Sequence, residues 1–249
     1  MANIHWSRSI CKEPGNYLAW PTVICTAEGE LLVVFSGNRD EHVCPYGKTE
    51  LIRSSDQGQT WSEPEVINNT PLDDRDAGLL QLINGNLVMT SFTATTVDQL
   101  DHYRNMLNEG IPSARWTAFQ VDSWERHCSK VMPETRERWL GAWTRRSTDG
   151  GYTWEAHVDS IVSAPHGPGQ TADGTLIYTG TAMVDGGRRV LCAESRDEAR
   201  SWKVVGTVLS VDEYANQGLN FNEPHVIEVD DGALLCVMRT DNSREGLYS

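Results

Sequence analysis

Four short stretches of the chain gather side chains that can move protons or grip an anion. Asn222-Glu223-Pro224-His225 opens an apolar run that ends at Arg239, so a carboxylate and a guanidinium stand 239 − 223 = 16 residues apart. The planar fork of an arginine matches a carboxylate bidentately, which a lysine cannot do. Arg39-Asp40-Glu41-His42 sets a guanidinium beside three groups able to act as acid or base. Asp73-Asp74-Arg75-Asp76 places three carboxylates around one arginine, a pattern that can shift a neighbour's pKa. His166 lies between Pro165 and Pro168, which suits a rigid corner as well as a proton carrier. Each stretch also has a purely structural use: an inward ion pair, a solvated charged loop, a satisfied turn network. The cysteines, at positions 11, 25, 44, 128, 192 and 236, show no C-x-x-C spacing and no paired histidines. No zinc ribbon, other metal centre or cofactor is expected.

Internal repeats say which elements hold these residues. Glu28-Gly29-Glu30-Leu31, Asn84-Gly85-Asn86-Leu87, Asp173-Gly174-Thr175-Leu176 and Asp231-Gly232-Ala233-Leu234 each sit between two strand-like runs. A strand, a tight glycine turn and a second strand is a β-hairpin. A second repeat, S-x-D-x-G-x-T-W, occupies residues 54–61 and 147–154, with a degenerate copy at 195–202. Its Asp can accept backbone N–H bonds, its Gly tolerates positive φ and its Trp covers the turn. The hairpin glycine precedes the Asp of its box by 56 − 29 = 27 residues, then 149 − 85 = 64, then 197 − 174 = 23. The excess in the second unit places an insertion at about residues 96–138, charged and helix-permissive. Without it the unit is four strands in roughly 50–60 residues, the scale of a propeller blade.

In a four-stranded antiparallel blade the start of strand one and the end of strand two share a face, and the box turn lies opposite. All four charged stretches fall on the first face, and the insertion joins strands two and three there as a wall or lid.

Composition closes off other classes. Lys+Arg 21 against Asp+Glu 35 gives a net charge of −14, which excludes a general nucleic-acid binder. No run of about 18 apolar residues exists to span a membrane as a helix. Met1-Ala2-Asn3-Ile4-His5-Trp6 does not read as a secretory signal, so a cytoplasmic setting and free buried thiols are the expectation.

The boxes and hairpins together resemble the sialidase (neuraminidase) superfamily of six-bladed Asp-box β-propellers. The resemblance implies an all-β fold. Residues 1–249 would form one propeller domain with about three and a half blades, its next box falling beyond Ser249. It implies an exo-glycoside hydrolase acting on terminal, including acidic, sugars of glycans. Glu223 would match the glutamate that polarises a tyrosine nucleophile, and Arg239 one of three arginines gripping the substrate carboxylate. Arg39 would match an active-site arginine, with Asp40 as acid/base and Glu41 and His42 as rivals. The tyrosine and a third arginine would lie past Ser249, leaving this piece without activity of its own. The chain departs from the pattern at Ala19-Trp20-Pro21, where sialidases carry Arg-Ile-Pro. Trp20 there offers an aromatic platform to a neutral sugar, and Arg39 or Arg75 could replace the lost guanidinium. Asp76 and His166 match no family role; the 73–76 cluster suits sugar hydroxyls. A non-catalytic carbohydrate- or protein-binding propeller is the alternative.

Overall fold

The computed structural model describes residues 7–110, 116–209 and 219–242. The first sheet is β1 (Tyr17–Cys25), β2 (Leu31–Arg39), β3 (Lys48–Ser54) and β4 (Glu65–Asn68). The second is β5 (Asp73–Gln81), β6 (Leu87–Ala94), β7 (Ala142–Ser147) and β8 (Val158–Asp159). The third is β9 (Gly169–Gln170), β10 (Leu176–Val184), β11 (Gly187–Ser195) and β12 (Lys203–Leu209), and the fourth pairs β13 (Leu219–Glu228) with β14 (Leu234–Asn242). Every sheet is an antiparallel meander in chain order, and together they are the blades of a partial β-propeller.

The hairpin turns work as their glycines require. In the first, Thr26 N–H donates to Glu30 O at 2.8 Å and Gly29 N–H to Thr26 O at 2.9 Å. The same pair recurs at residues 82–86 and 171–175. Gly29, Gly85 and Gly174 take φ of 86°, 88° and 88°, a region L side chains avoid.

The boxes are stapled locally. Asp149 Oδ1 accepts from Ser147 Oγ (2.7 Å) and Thr153 N (2.9 Å), its Oδ2 accepts from Thr153 Oγ1 (2.6 Å), and Trp154 Nε1 donates to Gly151 O (3.1 Å). Residues 54–61 repeat the arrangement, and the Thr60 and Ser54 donors pull the Asp56 carboxyl down to about 2. In the degenerate copy Ala199 stands where the others have glycine, at φ 64°, and Trp202 donates instead to Thr144 Oγ1 of the second blade at 3.3 Å. Ala199 and Trp202 thereby join the apolar core between blades two and three, with Val88, Leu176, Tyr178 and Leu191. A parallel core of Leu32, Val34, Leu51, Leu79 and Met89 joins blades one and two.

Between β6 and β7 the chain forms α1 (Val97–Asn108), α2 (Ala118–Cys128) and α3 (Pro133–Trp139). Thr117 and Gln120 make a reciprocal capping box that starts α2. The buried face of α2 is Val121, Trp124 and Cys128, at spacings of three and four residues. Trp124 is fully buried against Cys44 and Tyr103.

Candidate functional site

Three inner strands carry the same irregularity. The register slips between Ala19↔Ser36 and Thr22↔Val34 in β1, between Arg75↔Phe92 and Gly78↔Thr90 in β5, and between Asn222↔Arg239 and His225↔Val237 in β13. Two residues oppose one at each bulge, and the first of the two is left-handed: Trp20 (φ 53°), Asp76 (φ 47°) and Glu223 (φ 50°). A bulge of this kind re-aims a side chain at the end of a strand. Asp76 and Glu223 thereby line a cleft of about 660 Å³ with Asn222, Phe92 and Arg239. Leu140, Ile161, Met183 and Arg188 are among the other residues of its wall.

Glu223 Oε1 accepts a hydrogen bond from Arg239 Nη1, and both side chains are partly exposed. Asp76 is fastened by its backbone N–H to Ser36 Oγ at 3.1 Å, while its Oδ1 is buried without a hydrogen-bond partner. Burial raises the Asp76 carboxyl against the pull of Arg75 and Arg39, and the nearby Glu223 charge pushes the same way.

Arg39 does not share this cleft. It is fully buried, with Nη2 2.9 Å from Asp73 Oδ2. Its other bonds go to the carbonyls of Glu41 (3.2 Å), His42 (2.8 Å) and Asp74 (3.3 Å). Its place in the blade also differs from that of Arg239: Ser36 faces Ala19 as Arg239 faces Asn222, and Arg39 lies three residues further along. Desolvation raises Asp73 to about 6 in spite of Arg39, and raises its neighbour Asp74 to about 7.

The loop after Arg39 divides its candidates. Asp40 Oδ2 accepts from the indole of Trp124 at 2.7 Å. Glu41 is buried and caps the backbone N–H of His42 at 2.8 Å. His42 is exposed, meets the Trp20 ring edge-on at 4.8 Å, and holds Nε2 3.3 Å from Arg75 Nη2. Partial burial and then Arg75 lower its pKa. Trp20 lies against both guanidinium groups, with Arg75 at 4.9 Å and Arg39 at 5.0 Å from its ring. Arg75 also covers Phe92, which links this aromatic–cation cluster to the cleft.

His166 packs on His225 at 5.7 Å in a second hollow of about 960 Å³, which Glu223 and Arg239 also line. Burial and the His166 charge lower His225, whose Nδ1 is buried without a hydrogen-bond partner. Sequence reasoning missed two features. Trp124 had a signal in the amphipathic spacing of α2, but nothing tied it to Asp40. In the apolar wall, Leu140 and Ile161 come from connecting segments with no repeat to mark them, and Met183 from the end of β10.

Comparison with known proteins agrees with this architecture. The family model of the BNR/Asp-box repeat matches residues 145–156. A structure from Dyadobacter fermentans, of unknown function, superposes with a TM-score of 0.69 at 21% identity, over 94% of this chain and 65% of that one. A Hadza microbial sialidase gives 0.60 at 18% identity, covering 89% of this chain and 42% of its own. The leech intramolecular trans-sialidase, solved with 2,7-anhydro-Neu5Ac, gives 0.59 at 11% identity, covering 95% and 50%. The chain thus spans less than two thirds of each of these structures. No curated protein matches it in sequence.

Proposed function

We propose that this Asp-box β-propeller, which has the fold of the sialidases, supplies half of the active site of an exo-glycoside hydrolase. The observation that carries the reading is Glu223 held by Arg239 at a strained bulge, facing a cleft it shares with the half-buried carboxyl of Asp76. Strained backbone that delivers a carboxylate to a concave surface is a feature of functional sites. In this reading Glu223 polarises the nucleophile, Arg239 grips an anionic substrate group, and Asp40 is the acid/base. The nucleophile bonds to the anomeric carbon and passes its proton to Glu223 as the leaving oxygen departs with the Asp40 proton. Water then displaces the nucleophile, giving one proton to Asp40, and the released nucleophile recovers its proton from Glu223. Asp76 takes sugar hydroxyls, and Trp20 stacks on a sugar face. The test is the longer protein containing this chain, assayed on chromogenic glycosides. Glu223→Gln should lower turnover by about 10²-fold or more. Unchanged turnover in that variant overturns the reading.

One observation favours a binding propeller without catalysis. Ala19 stands where the sialidase pattern has an arginine, and Arg39 is buried and engaged, so it does not fill the gap. Sugar binding by a protein that hydrolyses no glycoside decides for that alternative.

A further inference from the structure

We propose that Trp124, on the insertion helix α2, is a positioning residue for Asp40: its indole N–H fixes the carboxylate that gives up and recovers the proton. The inference rests on the glycosidase reading above. Residues 40–46, which carry Asp40, form neither strand nor helix. Arg39 holds the carbonyls of Glu41 and His42, and the insertion holds the side chain of Asp40 and the far part of the loop. Trp124 Nε1 lies 2.7 Å from Asp40 Oδ2, Tyr103 Oη donates to Val43 O at 3.4 Å, and Tyr46 Oη pairs with Ser123 Oγ at 2.7 Å. Cys44, which accepts the Asp40 backbone N–H at 3.4 Å, sits in one apolar cluster with Trp124 and Tyr103.

The choice of donor matters chemically. An indole N–H donates and cannot accept, so it orients one oxygen of Asp40 without competing for the proton. Trp124 is 0% exposed, so water does not stand in for the bond. A loop side chain left to itself would sample several rotamers, and an acid misplaced by about 1 Å can cost on the order of 10²-fold in rate. On this account the helices between β6 and β7 are part of the catalytic apparatus, since they hold the Asp40 side chain of a loop whose Glu41 and His42 carbonyls Arg39 holds from β2.

The experiment uses the longer protein with Trp124→Phe, which keeps an aromatic ring in the buried site and removes the N–H together with part of the ring volume; the comparison of two leaving groups separates the two effects. Two glycosides of one sugar are compared, a phenyl and a nitrophenyl, beside Asp40→Asn. On the phenyl glycoside, whose poor leaving group needs an acid, kcat should fall about 10- to 100-fold while KM stays within about twofold. On the nitrophenyl glycoside the loss should be less than about threefold. An equal loss on both, or none, overturns the proposal. Should Trp124→Phe fail to fold, the indole N–H resonance of Trp124 in the unsubstituted protein is read instead. It should be protected from exchange and shift in Asp40→Asn; a resonance that does neither overturns the contact. An unsubstituted protein that cleaves no glycoside overturns the glycosidase reading and the catalytic role with it. The indole resonance still reports the contact, so the two failures are told apart.

Discussion

Asp76 and Glu223 hold the same place in different blades: each is the left-handed first residue of a two-for-one bulge on an inner strand, at φ 47° and 50°. Trp20 is the third member of the set, at φ 53°. A non-glycine residue in this region costs on the order of 1–3 kcal/mol. The fold accepts that cost three times to aim an aromatic ring and two carboxylates at one face.

Asp76 also carries a buried oxygen without a hydrogen-bond partner, and burial raises its carboxyl. A raised acid favours the folded state while protonated, so its destabilising effect grows as pH rises above the ordinary Asp range near 4. Asp76→Asn should therefore stabilise the protein by about 1–2 kcal/mol at pH 7, with the gain shrinking toward pH 4. Thermal unfolding of both forms across that range checks it. If Asp76 takes sugar hydroxyls as proposed, glycan affinity should fall in the same variant, a trade of function for stability.

Gly78 tests how blades two and three meet. A Cβ there would lie 2.4 Å from Gly167 N, 2.6 Å from Gly167 Cα and 2.7 Å from His166 C, all backbone atoms. Gly78→Ala should cost about 1–3 kcal/mol and disturb His166. Gly206→Ala, with nothing within 4 Å and no positive φ, is the control and should leave the denaturant midpoint almost unmoved.

The degenerate box makes an asymmetric prediction. Ala199→Gly would relieve a left-handed alanine worth about 1–2 kcal/mol. It would also lose a buried methyl, about 0.8 kcal/mol, and add glycine's unfolded-state entropy, about 0.5–1 kcal/mol. The effects offset, so restoring the box consensus should change stability by less than about 0.5 kcal/mol. Gly151→Ala at the matching position has no such compensation. Its φ is 87°, its new Cβ meets Leu87 Cδ1 at 3.2 Å, and it should cost about 1–2 kcal/mol. Chemical unfolding of the pair separates the two cases.

What was legible in the chain follows from how local each determinant is. Turn glycines and box residues declare themselves because each satisfies its partners within a few positions, as Asp149 does with Ser147 and Thr153. Glu223 and Arg239 were legible as a pair because one hairpin joins them. Arg39 was not, because a guanidinium in a charged stretch reads alike whether it meets solvent or a buried acid. Its partner Asp73 is 73 − 39 = 34 residues away in the next blade. The contact of Trp124 with Asp40 spans 124 − 40 = 84 residues, beyond any periodicity. The third blade's inner strand shrank to Gly169–Gln170, because Pro168 before it has no N–H to pair.

On the glycosidase reading, the charge of the preferred substrate turns on Arg75. With Ala19 in place of an arginine and Arg39 sealed in its ion pair, Arg75 is the cation left beside Trp20 to reinforce Arg239. Its Nη2 has a histidine nitrogen for a neighbour, and its Nε is buried without a hydrogen-bond partner. If Arg75 completes the clamp, Arg75→Gln should raise KM for a sialic acid glycoside at least about tenfold and leave a neutral aryl glycoside within about twofold. Ala19→Arg should then rescue the acidic substrate. With Arg75 in the clamp the unsubstituted protein should prefer the acidic glycoside, and Arg75→Gln should bring the two classes to comparable turnover, because two arginines grip a carboxylate less firmly than three. A strong preference for the acidic glycoside that survives Arg75→Gln would rule out Arg75 and require a guanidinium from elsewhere in the protein.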